Sequence, residues 1–139
     1  MGLHRLVDDL AVCLKSAFSG STRYSELIAI KLGVEKEECD LIRRAAPMHD
    51  AGILGIPDGI LLKPGRLDAE EMKVMRRHAC IGHDIPMGSE ARLIRVGAEI
   101  ALAHHERFDG EGYPQGFAGE AISIRNVSMP SWRCGMKWS

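Results

Sequence analysis

Apolar positions along the chain recur with a helical period. Leu3, Leu6, Val7, Leu10, Ala11 and Leu14 form one stripe, which predicts an amphipathic first helix. Phe18-Ser19-Gly20-Ser21 interrupts it. A second helix is predicted over about Thr22 to Leu32, ended by Gly33. A third begins near Glu35 and turns Leu41, Ile42, Ala45 and Ala46 toward the core. It is expected to end around His49-Asp50, kinked by Pro47, which removes a backbone donor.

From Gly52 to Arg66 the period is lost among Gly52, Gly55, Pro57, Gly59, Pro64 and Gly65. A loop is expected there, pinned to the core by Ile53, Leu54, Ile56, Ile60, Leu61 and Leu62. Asp68 followed by Glu71 reads as a capping box opening a fourth helix, with Met72, Met75 and Ala79 on its inner face. Ser89 is the expected N-cap of a fifth helix, with Leu93, Ile94, Gly97, Ile100, Ala101 and His104 along one side. That helix should end at Phe108-Asp109-Gly110, before a loop carrying Gly112, Pro114, Gly116 and Gly119. The pattern contains no internal repeat. It predicts one all-α domain.

Composition narrows the function classes. The 139 residues carry 18 Lys+Arg against 19 Asp+Glu, for a formal charge of −1. That balance argues against binding nucleic-acid polymers or anionic membranes through general electrostatics. No run approaches the roughly 18 apolar residues of a membrane span, and no secretory signal pattern opens the chain. Cys13, Cys39, Cys80 and Cys134 are widely spaced, with no C-x-x-C pair, and read as reduced thiols of a cytoplasmic protein. A ligand role for Cys80 lacks a second Cys to support it.

The informative residues are His49-Asp50, His78 and His104-His105, each expected at or near the C-terminal end of a helix facing a common interior. Helical neighbours point about 100° apart. Each pair therefore reaches either two adjacent ions, or one ion directly and its surroundings with the second residue. Imidazole and carboxylate together suit iron, manganese or zinc rather than calcium. Such a two-metal site serves metal-assisted phosphoester hydrolysis. Isolated histidines at helix ends are commonly dipole partners, the reading favoured for His4 and His83.

Longer motifs sharpen this. His49-Asp50-Ala51-Gly52, Gly55-Ile56-Pro57-Asp58 and Ile60-Leu61-Leu62-Lys63-Pro64-Gly65 resemble the opening of an HD-GYP domain. Met75-Arg76-Arg77-His78 with Ile81-Gly82 is similar to its middle segment, and His104-His105-Glu106-Arg107-Phe108-Asp109-Gly110-Glu111-Gly112-Tyr113-Pro114 to its name-giving stretch. The match runs in order over roughly Tyr24 to Arg125, about three quarters of the chain. The resemblance implies an HD-superfamily helical bundle and a phosphodiesterase acting on the bacterial second messenger cyclic di-GMP. Residue by residue, it implies that His49, Asp50, His78, His104 and His105 ligate two divalent transition ions, iron or manganese. Asp50 would be the bridging, catalytic carboxylate, with a bridging hydroxide attacking phosphorus. Asp109, Gly110, Gly112, Tyr113 and Pro114 would shape the substrate mouth. Other signalling domains or proteins are the further partners implied.

Four departures stand out. Position 53 is Ile where the family motif has Lys, which removes a positive charge from the reacting phosphate. No His or acidic residue lies between Lys15 and Tyr24, where a further ligand is expected near Ala17. Pro47 replaces an aliphatic residue. After Arg125 the family continues into a helix with an Ala-Asp ligand, whereas no Asp or Glu follows Glu120 and Pro130, Trp132 and Trp138 appear instead. The expected organisation is thus an HD-GYP-like domain, partial, over 1–126 and an atypical tail over 127–139. A frameshifted, truncated or degenerate gene is the expected origin. The alternative to an active enzyme is a catalytically silent module of the same fold that binds nucleotide or docks a protein.

Overall fold

The computed structural model describes residues 22–85 and 88–127. The expected first helix, the Ala17 region, His4, Cys13, Cys134 and the 128–139 part of the tail lie outside the described residues.

Among the described residues the fold is helical, with one isolated bridge between Asp109 and Ala118 and no strand. Helix α1 spans 22–31. Its end is built as the sequence implies. Gly33 takes φ 76°, Val34 N–H donates to Ala29 O at 3.1 Å, and Gly33 N–H donates to Ile30 O at 3.0 Å. This is the Schellman pattern, and Val34 then packs on Ala29. Helix α2, Lys36–Ala45, buries two rows. Cys39 and Ile42 meet Ala29 of α1, whereas Leu41 and Ala45 meet Val96 and Ile100. Cys39 is a buried thiol whose Sγ donates to Val34 O at 3.3 Å.

The expected kink at Pro47 is instead a change of helix type. α2 stops at Ala45, and Ala46–Gly55 forms a ten-residue 3-10 segment with Pro47 at its start. Proline cannot donate the next α-helical bond and is tolerated in a first turn. The loop expected from Gly52 onward is therefore partly this segment and partly α3, Asp58–Leu61. A 3-10 helix has about three residues per turn, so residues three apart lie in one row. Ala46, His49 and Gly52 are that row here, and all three are buried.

The fourth expected helix divides in two. α4, Ala69–Arg76, opens with the capping box: Asp68 Oδ1 accepts from Glu70 N–H and Glu71 N–H at 2.9 Å, and Glu71 accepts from Asp68 N–H at 2.8 Å. α5, His78–Asp84, follows after Arg77. Met72 is 39% exposed, so its expected place on the inner face is corrected; Ala79 is fully buried. Helix α6, Arg92–Ala103, has Ala91 rather than Ser89 at its N-cap position; the Ser89 hydroxyl accepts from Ala91 N–H at a long 3.4 Å. It ends five residues before Phe108, because the chain turns at His104. Short α7, Ile124–Val127, is tied back when Arg125 bonds Glu38 of α2 at 2.6 Å and pairs with Glu99 of α6.

Small residues bring the 3-10 segment, α5 and α6 together. Gly52 lies so close to α5 that a Cβ there would stand 1.8 Å from His78 O. Gly82 meets Gly52 N and Ala101 Cβ at the same spot, and Met48 lies over Gly97 of α6. This three-way contact sets the spacing of the histidines. None of the described helices is long and apolar enough to cross a membrane.

Candidate metal centre

Each histidine is oriented by its own backbone. His49 Nδ1 lies 2.7 Å from Ala46 O, His78 Nδ1 2.7 Å from Met75 O, and His104 Nδ1 2.8 Å from Ala101 O. A carbonyl only accepts, so Nδ1 must donate in all three, and in the neutral ring this leaves Nε2 as the inward-facing lone pair. That second hydrogen bond is how proteins orient metal-binding imidazoles. His78 lies at the start of α5 rather than at the expected C-terminal end of a helix, His104 is the C-cap of α6, and His49 sits in the 3-10 segment.

The Nε2 atoms converge. His78 Nε2 is 3.3 Å from His104 Nε2 and 3.2 Å from His105 Nε2. Two lone pairs at that distance repel unless a proton or a metal ion lies between them. Asp50 Oδ1 adds an anionic oxygen, 3.5 Å from His104 Nε2 and 3.8 Å from His78 Nε2. Ligand atoms of Asp50, His78, His104 and His105 all lie within 4.8 Å of one another. His49 stands beside this group: its Nε2 is 3.0 Å from Asp50 Oδ2. Asp50 thus turns one oxygen to His49 and the other to the His78 and His104 imidazoles. Cys80 is partly buried and is not in the group.

The electrostatics suit cation binding. Burial works against the Asp50 carboxylate, but the adjoining His104 and His49 imidazoles, which hydrogen-bond it and carry the opposite charge when their Nε2 atoms are protonated, outweigh it and hold its pKa well below the usual carboxylate range. Burial, then the neighbouring His104 and His78, push His105 down to about 3. Burial also lowers His78. A ligand set of neutral imidazoles and one anionic carboxylate fits a divalent transition ion.

The expected substrate-mouth residues lie on the loop that leaves His105. Asp109 bonds the Arg107 guanidinium and accepts from Glu111 N–H at 3.0 Å; Arg107 holds its carboxyl below the usual range. Gly110 takes φ 80°, which favours glycine. Gly112 packs so tightly that a Cβ would lie 2.6 Å from His105 O. The Tyr113–Pro114 peptide is cis. Tyr113 stacks on His105 with ring centres 4.5 Å and planes 19° apart, and the Arg76 guanidinium carbon lies 5.0 Å from the Tyr113 ring centre. Pro114 is exposed. Arg76 and Glu106 were not marked by sequence reasoning as site residues. The position of Glu106 between the His-His pair and the glycine-rich loop was the available signal.

A helical domain with histidine Nε2 atoms and one carboxylate converging on a half-buried point defines a class of helical proteins with a candidate metal site. The profile of the HD domain family matches residues 4–126, so this chain belongs to the HD domain family. Its motifs are of the HD-GYP type. Over 98 residues it is 55% identical to the cyclic di-GMP phosphodiesterase response regulator RpfG of Xanthomonas campestris, covering 70% of this chain and 26% of that protein. It is 48% identical over 100 residues to a cyclic di-GMP phosphodiesterase of Thermotoga maritima, covering 72% and 27%. It is 46% identical over 101 residues to the 3'3'-cGAMP-specific phosphodiesterase 2 of Vibrio cholerae, covering 73% and 19%. The chain therefore spans about a quarter or less of the length of these relatives.

Proposed function

We propose that this chain is the metal-binding part of a phosphodiesterase that hydrolyses cyclic di-GMP in the bacterial cytoplasm. The observation that carries the reading is the convergence of the His78, His104 and His105 Nε2 atoms and the Asp50 carboxylate on one half-buried point. In this reading His49, Asp50, His78, His104 and His105 hold two divalent transition ions, iron or manganese. When bound, such ions supply polarisation of a phosphoryl oxygen and activation of water.

The chain's own residues do the rest. Asp50, with its two oxygens turned to different imidazoles, spans both halves of the site and is the catalytic carboxylate. The carbonyls of Ala46, Met75 and Ala101 fix the imidazole tautomers, so no reorientation is needed on loading. The Asp109–Pro114 loop, braced by the Arg107–Asp109 pair, walls the side of His105 and meets the dinucleotide.

A second reading is favoured by one position. Ile53 is three residues after Asp50 in the 3-10 segment, hence in the same row, and an aliphatic group there offers a phosphate no charge. A module that binds the dinucleotide with little hydrolysis fits that row. Chromatographic detection of linear di-GMP or GMP after anaerobic loading with Mn²⁺ or Fe²⁺ separates the two, with 3'3'-cGAMP run in parallel. Product release supports the enzyme, and binding without product supports the silent module. Neither binding nor product contradicts both.

A further inference from the structure

Glu106 is outside the metal group, yet it is only 6% exposed and directly follows His104-His105. Both of its carboxylate oxygens are taken by one arm of the loop. Gln115 N–H donates to Oε1 at 2.7 Å and Phe117 N–H donates to Oε2 at 2.9 Å. The loop therefore returns to the point where it began. On the way back Tyr113 N–H donates to His105 O at 3.3 Å, and its ring stacks on the His105 imidazole. Tyr113 is thus delivered to His105 by a segment whose far end is anchored on Glu106.

We propose that Glu106 is a positioning residue for His105. By anchoring the 115–117 arm it keeps Tyr113 stacked on the imidazole, and so keeps His105 Nε2 turned toward His78. A carboxylate suits this task because two backbone donors two residues apart need two acceptor oxygens on one planar fork. An amide has one acceptor and sets its NH₂ against the other donor. Glu106→Gln is nearly isosteric, so it isolates this feature.

The test is NMR on the metal-free full chain, which makes the first readout independent of the proposed function. In the wild type the His105 ring protons lie against the Tyr113 ring and are shifted by its ring current. Tyr113→Leu gives the unstacked reference. The expected result is that Glu106→Gln, while folded, moves the His105 ring resonances at least halfway to that reference. Destabilisation that leaves the native state intact does not move them. Where the metal reading holds, Mn²⁺ affinity measured by calorimetry also falls about ten-fold or more. Wild-type His105 resonances in folded Glu106→Gln overturn the proposal. If Glu106→Gln does not fold, Gln115→Pro removes one donor at an exposed position and leaves Glu106 in place, and its His105 shifts decide in the same way. A wild type that binds no Mn²⁺ refutes the metal reading alone, since the ring-current result still decides the role of Glu106.

Discussion

Gly52→Ala probes the packing that places the two halves of the site. The added methyl would stand 1.8 Å from His78 O and 2.4 Å from Gly82 N, both backbone atoms that no side-chain rotation can move. Ordinary contact begins near 3.4 Å, so the 3-10 segment and α5 must separate by about 1.6 Å. Overpacking of this kind costs about 1–3 kcal/mol. In a domain of this size each kcal/mol lowers the Tm by roughly 3–4 °C. The effect on metal binding should be larger. Asp50 rides on one element and His78 on the other, whereas metal–ligand distances tolerate only about 0.2 Å. The expected result is a metal affinity at least about 100-fold weaker, which is about 2.8 kcal/mol at 25 °C. Calorimetric metal titration and thermal unfolding of the metal-free protein measure the two effects separately. Gly59→Ala is the control, because nothing lies within 4 Å of a Cβ there, and it should be neutral or slightly stabilising. A Gly52→Ala protein with wild-type Tm and wild-type metal affinity would refute the argument.

Two further outcomes are expected. His105, pushed down to about 3, binds fewer protons folded than unfolded between about pH 3 and 6.5, and the lowered His78 acts in the same direction just below about pH 6.5. The stability of the metal-free protein should therefore rise with pH across that window, by at most about 1.4 kcal/mol per pH unit for each group. The lowered Asp50 carboxyl acts in the same direction below about pH 4. Urea midpoints measured from pH 4.5 to 7.5 should climb, and a flat or falling series contradicts the assigned burial. Ile53→Lys restores a cation in the row of Asp50 and should raise turnover of cyclic di-GMP by about 10-fold or more. Unchanged turnover in a metal-loaded Ile53→Lys protein argues that the side chain at position 53 does not reach the phosphate.

Where a structural device is local, it was readable in the sequence. The Gly33 stop and the Asp68–Glu71 capping box are each set by residues within one turn, and both form as expected. The core rows of α2 followed from period alone, since Leu41, Ile42 and Ala45 are all buried. The 3-10 segment was not readable, because its buried row is Ala46, His49 and Gly52 rather than an apolar stripe. Nor was the break between α4 and α5, where no glycine or proline marks Arg77. Of the site, the ligand-type residues were visible as His-Asp and His-His pairs. Their orientation was not, because it depends on carbonyls three residues back and on the approach of Gly52 to α5. Glu106 escaped for a related reason: its partners lie nine and eleven residues ahead, and only a folded loop brings them together.

The central claim is that the histidine–aspartate group is a metal centre. Elemental analysis of the desalted protein after anaerobic loading with Fe²⁺ or Mn²⁺ tests it most directly, with His104→Ala alongside. The account predicts two ions per wild-type chain and less than one in the variant. A wild type that retains less than one ion per chain, or a variant that retains the wild-type amount, contradicts it.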